Sequence, residues 1–196
     1  MHGLIDDRKA EVARRPLRQG QIVTGWWLVP WLIALLAAAI PAQLCAEVRA
    51  TFYAHELDDR FPHAFVVLQG IDESTGARVD ENYGFTATAV TAAILFKSVN
   101  GKIESVQPRY IARSTLIFSV ALKDKYYREL LGEVIRWRDT PQPSYSLSRA
   151  NCVHFIGAIA RAAGLRTNPG SRNFRRPKAY LLEIRALNAA RTISPQ

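Results

Sequence analysis

Residues 19–46 contain no charged side chain, and this limits how much of the 196-residue chain can belong to a folded domain. Inside the stretch, residues 22–40 form an apolar run built around Trp26, Trp27, Trp31 and residues 32–40. Arg8, Lys9, Arg14, Arg15 and Arg18 precede it; Pro41 and the small residue Ala46 follow. A basic flank, an apolar centre, a helix breaker and a small residue come in the order of a secretory signal. The run is also long enough to span a bilayer with the arginines left inside, so cleavage after Ala46 and an uncleaved membrane anchor are both open. Either way residues 47–196 are expected to be exported, to the periplasm or to the outer face of the inner membrane. Membrane contact would run through residues 22–40.

Setting residues 1–46 aside changes the arithmetic of charge and sulfur. Taking five basic and three acidic residues from the chain's 26 and 17 leaves 21 and 14, a net charge of +7. That excess favours anionic partners such as lipid head groups or acidic cell-wall polymer. Nucleic acid fits the charge but not an exported chain. Of the two cysteines, Cys45 falls in the targeting segment, so Cys152 stands alone. A solitary thiol in an oxidising compartment forms no internal disulfide and is either an inert core residue or a chemical group.

Residues 48–55 (VRATFYAH) alternate as a strand, and 63–68 (HAFVVL) read as a buried one. Gly70, Asp72 and Gly76 mark a turn at 69–76. Residues 78–85 alternate again, with Val79, Tyr83 and Phe85 on one face and Arg78, Asp80 and Asn82 on the other. Residues 91–96 fit a short helix or a strand. Asn100-Gly101 is a turn signal across which 103–106 can pair, and 114–122 (STLIFSVAL) is a further strand. Tyr127, Leu130, Leu131, Val134 and Trp137 give 123–137 helical spacing. A proline-marked loop, 140–144, separates this helix from the one carrying Cys152, which stops at Gly164. Residues 166–178 are basic and irregular, and 179–191 fit a terminal helix. Strands first and helices later predict an α+β domain over 47–165, followed by a basic, part-helical extension over 166–196.

The stretch Asn151-Cys152-Val153-His154-Phe155 carries the chemistry. Asparagine is a favoured N-cap, which puts Cys152 in the first turn of its helix, where free amides and the helix dipole stabilise a thiolate. Cys152, Ile156, Ile159, Ala160 and Ala163 form one stripe, so the thiol ends the face turned to the sheet. His154 lies about 200° round the helix from Cys152, and a base must come from elsewhere. His63, opening the buried strand, is the candidate.

A histidine-initiated hydrophobic strand followed by Asn-Cys-x-His-Phe resembles the circularly permuted NlpC/P60 superfamily, of papain-like fold. The local likeness is to the lecithin:retinol acyltransferase-like branch, whose nucleophile motif reads NCEHF; it spans roughly residues 50–165. The resemblance implies an antiparallel sheet packed against the nucleophile's helix, Cys152 as nucleophile and His63 as base. It also implies a third polar residue on the next strand. Acyltransferase-like members have a second histidine there, whereas this chain has Asp80-Glu81-Asn82-Tyr83-Gly84. Asn82 is the candidate by analogy with papain-like enzymes, and Glu81 by alternation with Val79 and Tyr83. Exported members of the superfamily commonly cleave cell-wall peptides, so the implied activity is a cysteine amidase or peptidase working through an acyl-enzyme without a cofactor. Lipid deacylation or acyl transfer is the alternative.

Other classes find less in the sequence. His55, Glu56, Asp58, Asp59 and His63 match no closed zinc motif, so the stretch reads as an acidic loop and no metal is expected. GxSxG, P-loop and CxxC patterns are missing. The tail, with Arg166, Arg172, Arg175, Arg176, Lys178, Arg185 and Arg191 against Glu183, suits a non-catalytic module for anionic lipid or cell-wall polymer.

Overall fold

The computed structural model describes residues 47–56, 61–89 and 91–192, all within the unit Cys45–Gln196. The apolar run at 22–40 lies outside the described residues, as do 57–60 of the acidic loop. Among the described residues no helix is long and apolar enough to cross a membrane.

Five strands, β1 (Val48–His55), β2 (His63–Ile71), β3 (Arg78–Ala87), β4 (Gly101–Glu104) and β5 (Thr115–Leu122), form one antiparallel sheet in the order β4-β3-β2-β1-β5. Alternation sorts its two faces. Val48, Ala50, Phe52 and Ala54 of β1 and Ala64, Val66 and Leu68 of β2 are buried in the core. Their neighbours Arg49, Thr51 and Tyr53, and His63, Phe65 and Val67, look the other way by the same alternation. The turn after β2 is held by Asp72, whose Oδ1 accepts from Ser74 N–H at 3.0 Å and from Arg128 Nη2 at 2.5 Å. That guanidinium holds the Asp72 carboxyl well below the usual carboxylate range.

Three helices cover the core face: α2 (Asp124–Arg138), α3 (Cys152–Ala162) and α4 (Pro177–Leu187). Helix α3 packs on β2 and β3, α4 on β1 and β5, and α2 against α3. The domain is therefore α+β, in two layers. Phe52 stacks on Phe118 at 4.6 Å, while Phe85, Trp137 and Phe155 meet edge-on or tilted at 4.8–6.3 Å. Each large side chain buried in this way contributes about 1.5–3 kcal/mol. Gly157 lets α3 and α4 close up, since a Cβ there would lie 2.5 Å from Tyr180 Oη.

Two expectations about organisation change. Residues 166–192 are no appendage to a domain ending at 165. Tyr180, Leu181 and Ile184 of α4 are at most 1% exposed, and Asn188 donates to Arg166 O and Ile184 O at 2.8 Å each. Counting arginines in the tail concealed an apolar stripe at helical spacing. The second change is a five-residue helix, α1 (Pro108–Ala112), in a stretch with no helical period. It brings Tyr110 onto His55, with ring centroids 4.3 Å apart, and against Phe65 on the sheet's other face. Residues 92–95 form a 3-10 turn.

Candidate active site

Cys152 is the first residue of α3, where the sequence places it. Asn151 caps the helix, its side chain accepting from Val153 N–H at 2.8 Å and from His154 N–H at 3.2 Å. The same amide donates to Leu147 O at 2.8 Å and to Phe174 O at 2.9 Å, tying the helix start to two loops. His154 serves this cap. Its Nδ1 accepts the Asn151 backbone N–H at 3.4 Å, and its ring stacks on Phe174 at 4.6 Å.

The thiol of Cys152 is 6% exposed, and its Sγ lies 4.0 Å from Pro62 O. Burial pushes it up to about 11, while backbone N–H groups of Ala64, Val153 and Cys152 itself pull it the other way. Desolvation wins over the helix start, so the resting group is a neutral thiol at neutral pH. Three backbone donors still converge on it, and these are the donors an anion at the sulfur, or an oxyanion beside it, needs. A cleft of about 140 Å³ opens over the sulfur, lined by Phe61, Ile94, Tyr145 and Leu147, with Arg175 on its wall.

The structure sets Cys152 beside the backbone on either side of His63, since Pro62 and Ala64 flank that residue, but no hydrogen bond joins thiol and imidazole. The ring of His63 lies on the Phe65 side of the sheet, 6.2 Å from that ring. Burial lowers its pKa to about 4, with the Glu104 charge opposing and His55 assisting. At neutral pH His63 is a neutral imidazole, the form that accepts a proton. Its Nε2 is buried without a hydrogen-bond partner.

Neither candidate for the third residue attends His63. Asn82 shares its face, but pairs with Val67, two rungs beyond the Phe65–Gly84 pair that adjoins His63. Its amide is occupied: Oδ1 accepts from Val106 N–H at 2.6 Å and Nδ2 donates to Val106 O at 3.3 Å. Asn82 fastens the chain leaving β4. Glu81, opposite the core residue Leu68, accepts from Tyr83 Oη at 2.7 Å. The carboxylate whose charge opposes the effect of burial on His63 is that of Glu104 of β4, which pairs with Gly84. Its signal in the sequence was its place two residues after Lys102 in a strand following Asn100-Gly101. Using that signal requires the β3–β4 register, which is not local.

His55 is buried, with Nδ1 3.2 Å from Ser114 Oγ. Among the described residues no group of three His, Cys, Asp or Glu side chains is arranged to hold a metal ion. Comparison with protein-family models, with curated proteins and with solved structures finds no match to this chain.

Proposed function

We propose that the domain is an exported cysteine hydrolase of permuted papain-like type, attacking amide bonds of cell-wall peptides through an acyl-enzyme. The observation that carries the reading is the Cys152 sulfur at the first residue of a capped helix, faced by three backbone N–H groups at the floor of a cleft. In the proposed reaction the thiol proton passes round the start of β2 to the neutral imidazole of His63, with which the sulfur shares no hydrogen bond at rest, as sulfur attacks the carbonyl carbon. The oxyanion is received by backbone N–H groups, the amine leaves with the proton, and water or another acceptor releases the acyl group. A resting thiol as weakly acidic as this one is activated in step with attack and is not stored as a thiolate. The export reading rests on residues 19–46, and the anionic-surface reading on the arginines of 166–191.

A second reading has its own support. Phe61, Ile94, Tyr145 and Leu147 make the cleft wall mainly apolar, which suits the acyl chain of a lipid ester. One experiment separates the two: the purified chain is mixed with cell-wall muropeptides and, separately, with phospholipid micelles, then digested and weighed by mass spectrometry. A peptide-derived acyl mass on Cys152, absent in Cys152→Ala, is expected with muropeptides. A fatty-acyl mass instead assigns the second reading, and no adduct or turnover with either set rejects both.

A further inference from the structure

His63 Nε2 is a buried nitrogen with no partner, a costly arrangement for a polar group. What lies against it is Gly84: a Cβ on that residue would sit 2.5 Å from Nε2. Gly84 pairs with Phe65 on one side and with Glu104 on the other, so the three share one face of the sheet. The glycine is thus a gap in the row between the imidazole and a carboxylate. On the elements packed about the ring, the charged and titratable groups include His55 of β1, opposite it in register, Lys102 of β4, paired in register with Thr86, and Tyr110 of α1, which touches His55 and Phe65. Lys102 Nζ lies 2.8 Å from Glu104 Oε2, an ion pair on the same strand.

We propose that Glu104 is the positioning residue for His63, accepting the Nε2 proton across the gap left by Gly84. An Nε2–H donated to Glu104 leaves Nδ1 as the acceptor nitrogen, fixing the tautomer that a base for Cys152 must have. The carboxylate matters most once the ring is charged, because imidazolium and carboxylate then attract through a partly desolvated space. Lys102 competes for the same oxygens, which keeps the hold on the neutral ring weak and lets it strengthen as the proton arrives. This role rests on the reading of His63 as base.

The test is a long-range proton–nitrogen correlation spectrum of the nitrogen-15 histidine-labelled full chain, with His63 assigned from a His63→Gln spectrum. Native protein is expected to show the Nε2–H tautomer. Glu104→Gln is expected to lower the His63 titration by about one unit and to mix the tautomers, and Glu104→Asp to restore both in part. Gly84→Ala, which fills the gap, should reproduce the Glu104→Gln spectrum. An unchanged tautomer and titration in Glu104→Gln overturns the proposal, and its side chain, one-third exposed, makes that variant safe for folding. Alkylation of Cys152 by iodoacetamide supplies the separate arm. If His63 responds to Glu104 while alkylation is indifferent to His63→Ala, positioning stands and the assignment of His63 as base falls.

Discussion

Replacing Asn151 by alanine removes five hydrogen bonds at one point; beside the contact of its Oδ1 with His154 Nδ1 at 2.9 Å, the cost of the other four can be worked from what each leaves behind. Two are the cap itself, to the N–H groups of Val153 and His154, worth about 1 kcal/mol together. The other two satisfy the carbonyls of Leu147 and Phe174, both in partly buried loop, and each orphaned carbonyl costs about 1 kcal/mol at the low end of the usual range. The sum is about 3 kcal/mol, to be read from the urea midpoint at constant slope. Asn151→Asp divides the sum. An aspartate keeps the acceptor and suits the helix N-terminus, but turns a carboxylate oxygen on the two carbonyls. It should be less stable than wild type at pH 7 and recover as the pH falls through the raised pKa of the new carboxyl, because the protonated acid donates again. A loss under 1 kcal/mol in Asn151→Ala, or an Asn151→Asp protein as stable as wild type at pH 7, would refute this account of the cap. Either result would detach the cap from the positioning of Cys152.

Further expectations follow from individual groups. Alkylation of Cys152 in the resting chain should be slow at pH 7 and climb toward alkaline pH, since the thiol is pushed up to about 11; rapid labelling at pH 6 contradicts this. His63, lowered to about 4, binds its proton more weakly folded than unfolded, so stability should be complete above about pH 6.5 and fall as the pH drops toward 4. The loss is about 3 kcal/mol at most, and His63→Gln should flatten it in denaturation curves taken between pH 4 and 7. Asp72 is depressed by Arg128, so its contribution should persist to lower pH and disappear in strong acid; Arg128→Ala should move that loss upward in acid titrations followed by circular dichroism. Gly157→Ala drives a methyl into Tyr180 and should destabilise by about 1–3 kcal/mol in thermal melts, with partial recovery when Tyr180→Phe removes the clashing oxygen.

The parts of the molecule legible in the sequence are those governed by near neighbours. The first strand is Val48–His55, as its alternation predicts, and Asn151 beside Cys152 announces a capped helix start because capping spans three residues. The face assignment of Val79, Tyr83 and Phe85 also follows from local period alone. Helix α1 escaped because five residues hold too little period, and its position is set by Tyr110 meeting His55 and Phe65. Asn82 is the candidate on the next strand by analogy with papain-like enzymes, where an asparagine orients the histidine. Its side chain is committed to Val106, a partner 24 residues away that no pattern around Asn82 reveals. Glu104 and Gly84 acquire meaning only through a register shared by three strands.

The docking of α4 has a consequence for how the protein comes into being. Strand β1, the first of the described strands in chain order, sits inside the sheet between β2 and β5, and its core face is roofed by a helix that ends at Leu187. Its hairpin with β2 can form early, but the partner on its other edge arrives some sixty residues later, and the roof later still. A chain emerging from a ribosome or a translocation pore therefore carries an unfinished edge and an uncovered apolar face until α4 is free. Shortening the chain before Tyr180 is expected to leave the core face of β1 without its cover, and with it a product prone to aggregation or degradation.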